Sequence, residues 1–158
     1  MTVEVTLERG AHGGYVVGRA DGKVLFVTGG LPGERVLAEI TETGSRFDRA
    51  RVVEVLEPAA GRVTPPCPIA DRCGGCDWQH ASGPAQLLLK SAVIAEALTR
   101  LGALPGEQAA VEVEQLPVEG PDPLLGWRTR TAYARLPDGR IGFHRHRGSA
   151  IEVVDRCL

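Results

Sequence analysis

The chain has 158 residues, enough for one ordinary domain or two small ones, and its 43% hydrophobic but only 4% aromatic content predicts an aliphatic core. The formal net charge of -2 does not mark a nucleic-acid binder, and 20 Gly with 11 Pro disfavour long helices. Met1–Gly10 has no apolar h-region and no run approaches the roughly 18 apolar residues of a membrane span, so the expectation is a soluble, cytoplasmic protein with no membrane partner.

Residues 2–57 read as short strands. Val3, Val5 and Leu7 alternate with polar neighbours, and His12–Gly14 forms a turn. Tyr15–Gly18, Lys23–Val27, Arg35–Ile40 and Arg49–Leu56 follow, broken by Asp21-Gly22, by Gly29–Gly33 and by Thr43-Gly44-Ser45. Five strands at this spacing predict a small antiparallel barrel over residues 1–58. The Pro- and Gly-rich stretch Glu57–Pro66 ends it. Residues 67–80 show neither helical nor strand periodicity and hold three of the four cysteines.

One helix is expected over about 84–101. Pro84 suits its first turn, Ser82 or Gly83 its cap, and Gly102 its stop. Leu87, Ile94, Leu98 and Leu101 recur as its core face. Leu104–Ala110 reads as a loop and Val111–Gln115 as a strand. Trp127–Leu136, Arg140–Arg145 and Ala150–Val154 complete a small antiparallel β region over about 111–157, with Pro137-Asp138-Gly139 as a hairpin turn. The fold class is therefore β-rich α+β. Residues 59–158 form the second part: loop, helix and small sheet.

The cysteines are Cys67, Cys73 and Cys76, spaced C-x5-C-x2-C, and the distant Cys157. A reducing compartment disfavours disulfides, and four thiols close one metal site. Zinc sites usually combine two short-range pairs, whereas this grouping is three plus one. A cubane cluster, larger than an ion, can be wrapped on three irons by one loop and reached at the fourth from afar. Gly74 and Gly75 let the backbone approach sulfur, while Pro66 and Pro68 restrain Cys67. Spacing alone leaves zinc and iron–sulfur both open.

Three stretches together resemble one family, the bacterial iron–sulfur RNA (uracil-5-)-methyltransferases. Gly18–Glu34 (GRADGKVLFVTGGLPGE), with Gly13-Gly14 before it, is similar to a TRAM domain, an OB-like RNA-binding barrel. Arg62–Lys90 resembles the family's cluster loop and following helix. Gly126–Leu158 resembles its small central β region, which ends on the fourth cluster cysteine. The resemblance implies a [4Fe–4S] cluster on Cys67, Cys73, Cys76 and Cys157. It implies RNA, ribosomal or transfer, as partner. Because four thiolates fill a cubane, His80 reads as a hydrogen-bonding or structural neighbour rather than a ligand, and Trp78 as a lid over the cluster rather than a base-stacking platform.

In that family a Rossmann-like domain follows, binds S-adenosylmethionine and supplies the nucleophilic cysteine. No such segment, and no spare cysteine, lies within these residues. The expectation is that they carry RNA and cluster but no methyl transfer alone, the catalytic half being truncated or separately encoded. Two rivals are a free-standing RNA-binding protein with a structural iron–sulfur or zinc site, and an electron carrier. The distant Cys157 speaks against the carrier.

Sixteen of the eighteen basic residues are Arg, which suits phosphate and base recognition but also follows from GC-rich codons. Arg46, Phe47, Arg49 and Arg51 sit on a barrel turn and the next strand: a stacking platform with phosphate contacts, or a solvated turn with Phe47 packed inward. Arg128–Arg147 holds six Arg against one Asp. If it folds as a hairpin, Arg128 with Arg130 and Arg145 with Arg147 share faces, beside His144 and His146, either for RNA or as ordinary edge-strand charge.

Overall fold

A computed structural model describes residues 1–117, 122–126, 128, 130–146 and 148–157. Contacts divide the chain into two units, Met1–Val63 with His80–Glu114, and Thr64–Gln79 with Gln115–Leu158.

The first unit is built on five strands: β1 (Thr2–Ala11), β2 (Tyr15–Ala20), β3 (Lys23–Thr28), β4 (Arg35–Thr43) and β5 (Phe47–Glu57). They close into a barrel in the order β1-β2-β3-β5-β4. Every seam is antiparallel except β3 with β5, which is parallel. The expected antiparallel barrel is corrected at that seam for a topological reason. Strand direction cannot alternate all the way round a closed ring of odd number, so one pair must run parallel.

Alternation places Leu25 and Val27 of β3 inside, with Val36 and Ala38 of β4, Val5 and Leu7 of β1 and Val16 of β2. Alternation in β1 breaks where its register on β2 shifts between Leu7 and Arg9, and at Gly10, Ala11 and the start of β2 the outer face is covered as well. Tyr15 and Val17 are buried there beside Ala11, with Val24 and Phe26 packed against them. Asp21 (φ 49°) and Gly22 (φ 76°) both take the left-handed conformation that a two-residue hairpin turn requires.

Helix α1 (Gly83–Leu101) starts after Ser82 with Pro84 in its first turn, as expected. Its buried face is not the expected one. Leu89 is 6% exposed, whereas Ile94 is 41% and Leu101 88% exposed. The helix carries Leu87, Leu88 and Leu89 in succession, so periodicity offers more than one apolar face. Packing on β1 selects among them. Gly10 has no side chain there, and a Cβ on it would stand 3.0 Å from Leu89 Cδ2. The helix thus belongs with the barrel, although the sequence reading grouped it with residues 59–158.

A short helix, α2 (Gly106–Ala109), lies in the stretch read as a loop. Residues 111–115 form no strand. Val113 N donates instead to Ser91 Oγ of α1 at 3.0 Å, so the alternating apolar residues lie along a helix with no strand beside them.

The second unit contains β6 (Ala134–Arg135), β7 (Ile141–His144) and β8 (Ile151–Val153), an antiparallel sheet in that order. All three are shorter than expected. The Pro137-Asp138-Gly139 turn is where it was expected, closed by Leu136 N to Arg140 O at 2.8 Å. Among the described residues no helix is long and apolar enough to cross a membrane.

Candidate functional site

Leaving the barrel, the chain is fastened before it turns into the cysteine loop. Arg62 and Ala81 form an antiparallel bridge, flanked by Val63 N to His80 O at 2.9 Å and Ser82 N to Gly61 O at 2.8 Å. At the same place Glu34 is 0% exposed. Its carboxylate accepts from Leu31 N at 2.8 Å, from Ala59 N at 3.2 Å and from Arg62 Nη2 at 2.7 Å. Burial pushes this carboxyl up, but the Arg62 guanidinium and the two amides outweigh it and hold it below the ordinary carboxylate range. Arg62 also donates to Gly29 O at 2.8 Å. His80 is buried in this unit, with Nε2 3.2 Å from Gly30 O, a structural position. Nothing in the sequence marks Glu34 as buried, because a Glu that follows a Leu-Pro-Gly turn carries no local sign of burial.

In the second unit, Cys67 N donates to Gln79 Oε1 at 3.2 Å. Ala70 N to Cys67 O at 3.2 Å and Cys73 N to Ile69 O at 2.8 Å then coil the loop tightly. Cys73 forms a bridge with Arg145 just past β7, and Gly74 N donates to His144 O at 3.0 Å. A Cβ on Gly74 would stand 2.7 Å from that oxygen, so only glycine lets the loop lie on the strand. The pairing is locked by Glu152 of β8, which takes Arg72 of the loop at 3.0 Å and Arg145 at 2.9 Å. The Arg72 hydrogen bond, with help from Arg145, draws the Glu152 carboxyl below its usual range against partial desolvation.

This docking brings Cys67, Cys73, Cys76 and Cys157 to the wall of one cavity, completed mainly by Ile69, Phe143 and Val154. All four are free thiols. Gly75 N lies 3.4 Å from Cys73 Sγ and donates to it. Burial pushes the Cys73 thiol up; the Gly75 amide acts against this, and the three neighbouring cysteines add to it. Four thiolates in one apolar-walled space repel one another, so the set can be fully ionised only around positive charge. Among the described residues no three His, Cys, Asp or Glu side chains meet closely enough to hold a single metal ion.

The structure disperses the arginines. Arg49 lies over the Phe47 ring at 5.4 Å and pairs with Glu42, Arg51 pairs with Glu39 at 2.7 Å, and Arg46 is exposed. Phe47 is half-buried on the barrel's outer side, its ring edge-on to Phe26 at 5.2 Å. Arg128 donates to Gly75 O of the cysteine loop, Arg130 is exposed, and Arg145 is held by Glu152. Neither Arg128 nor Arg130 lies on a strand, and among the described residues the expected hairpin is reduced to Ala134–Arg135 paired with Ile141–Gly142; Trp127, the expected start of its first strand, lies outside them. His144 Nδ1 is 3.3 Å from Ser149 O, and His146 Nδ1 is 3.4 Å from Asp77. Arg147 lies outside the described residues.

The TRAM domain model matches residues 1–53, the barrel up to the middle of β5. Among curated proteins, an uncharacterized RNA methyltransferase of Streptomyces coelicolor is 48% identical, over 98% of this chain and 36% of its own length. One of Bdellovibrio bacteriovorus is 35% identical, over 99% of this chain and 38% of its own. The protein of Acidithiobacillus ferrooxidans named 23S rRNA (uracil(1939)-C(5))-methyltransferase RlmD is 37% identical, over 92% of this chain and 32% of its own. The chain spans about a third of the length of the curated relatives it matches. It carries a TRAM domain and is homologous, along nearly its whole length, to the N-terminal part of bacterial RNA methyltransferases.

Proposed function

We propose that these residues are the RNA-holding, [4Fe–4S]-carrying portion of an RNA (uracil-5-)-methyltransferase that forms 5-methyluridine. The observation that carries the reading is the cavity wall shared by Cys67, Cys73, Cys76 and Cys157, of which the last comes from the far end of the chain. A zinc ion draws four donors to one point at about 2.3 Å from sulfur. A cubane spreads its cysteine ligands over four corners, which suits three thiols on one loop and a fourth from a distant residue along the wall of a common space. The Gly75 amide on Cys73 Sγ is the kind of hydrogen bond that tunes such a cluster. Bound there, the cluster would supply cross-linking between loop and sheet, with its redox capacity as the competing role.

The RNA part of the reading rests on the TRAM match and on relatives named RNA methyltransferases. Uracil-5 specificity and a ribosomal substrate are taken from the name of the Acidithiobacillus ferrooxidans relative, with transfer RNA as the other substrate class. S-adenosylmethionine and the nucleophile are assigned to the part of the relatives' length that these residues do not span. Cysteines that serve a metal site rather than disulfides fit a reducing compartment, and the cytoplasm is the proposed location.

The test is anaerobic purification followed by absorption spectroscopy and metal analysis. A broad band near ~400 nm with about four irons per chain is expected, lost in Cys157→Ser. One zinc and no visible band would leave the RNA-binding protein with a structural zinc site.

A further inference from the structure

Between β1, β3 and the last turns of α1, all in the first unit, lies a cleft of about 270 Å³. Its floor is apolar: Ala11, Val93 and the half-buried ring of Phe26. Its rim carries Arg9 and Arg100 against the single carboxylate of Glu96, with His12 beside them. Glu96 pairs with Arg9 at 2.8 Å and with Arg100 at 3.2 Å, which gathers both cations at one rim although both side chains are more than half exposed. Leu101, 88% exposed, overhangs the opening.

The cleft does not stand alone. Phe26 meets Phe47 edge-to-face at 5.2 Å, and Phe47 carries Arg49, with Arg46 at the adjoining turn. One aromatic row thus runs from the half-buried Phe47, beside the exposed Arg46, into the cleft. A single nucleic-acid strand needs this combination: cations for phosphates spaced along a path, and ring faces or apolar floors for bases taken out of their stack.

We infer that the cleft between α1 and the barrel holds one unstacked base of a bound RNA strand, against Phe26, with its flanking phosphates on Arg9 and Arg100. The inference rests on the RNA reading above and adds a site to it. The rest of the strand follows Phe47 and Arg49 along β5. With two Arg against one Glu the rim keeps a net positive charge, which favours a polyanion over a free apolar ligand.

The test uses the full 158-residue chain and an end-labelled, thiouridine-substituted oligoribonucleotide. Photo-crosslinking with peptide mapping is expected to mark residues 23–28 and the end of α1. Ala97→Trp, which fills the cleft from an exposed helix position, should weaken binding about tenfold or more, while Ala92→Trp on another helix face leaves it unchanged. Phe26→Ala should match Ala97→Trp, and Phe26→Tyr should restore binding. If RNA binds but crosslinks lie elsewhere and Ala97→Trp binds normally, the cleft assignment is wrong and the RNA reading stands. If the unsubstituted chain binds no RNA, both fall.

Discussion

Glu34 is the residue on which the barrel exit depends. A carboxylate removed from water is tolerated only when its oxygens are fully engaged, and here two backbone amides and Arg62 engage them. Glu34→Gln keeps the shape but leaves the Arg62 cation, itself mostly buried, without its charge partner. A loss of about 3 kcal/mol is expected near neutral pH. The pH dependence has a definite sign. The folded carboxyl titrates below the ordinary value of 4.5, so the stabilisation is fully present above about pH 4.5 and is lost as pH falls through the folded value. Thermal unfolding of the two proteins side by side should show a constant gap in Tm from about pH 7 to about pH 5, narrowing below. A gap that stays constant into strong acid would mean that Glu34 is not held as a carboxylate.

At the scale of elements, the contact between α1 and β1 is set by one glycine and one leucine. Leu89→Ala should cost about 2–4 kcal/mol, since the barrel wall cannot collapse into the space left over Gly10. Leu88→Ala, next in sequence but 73% exposed, should change stability by less than about 0.5 kcal/mol. Equal losses measured in denaturant would mean that the helix packs by another face. That face was not legible in the sequence, because three successive leucines satisfy more than one stripe and the arbiter, Gly10, lies some eighty residues earlier. Features decided within a few residues were legible: Asp21-Gly22, the 137–139 turn, Pro84 at the helix start. Val111–Gln115 misled because alternation is necessary for a strand but not sufficient; a strand also needs an open edge to join, and α1 offers only Ser91. For the cysteines, spacing predicted a shared site but not its metal, and the link from Cys73 through Arg145 and Glu152 that forms the wall depends on pairings far apart in sequence.

For the molecule as a whole, the two units differ in what holds them. The first has a closed barrel with Leu7, Val16, Leu25, Val27 and Val36 almost wholly buried. In the second, Val154 is the one buried large aliphatic among the described residues, and the strands are only two to four residues long. So little apolar burial does not offset the conformational entropy of ordering the loop and the sheet. Ligation that ties Cys157 to the loop cysteines would supply the difference, as structural metals do in small domains. Hydrogen exchange on the anaerobic protein, before and after oxidative loss of the proposed cluster, should therefore show a divided response. Amides in residues 64–79 and 122–157 should lose protection, while those of the barrel and α1 keep theirs. Protection retained throughout, with a reversible couple in voltammetry, would move the cluster from a structural to a redox role. Unfolding of the barrel along with the cysteine loop would show instead that the first unit depends on the second, against the self-sufficiency its core implies.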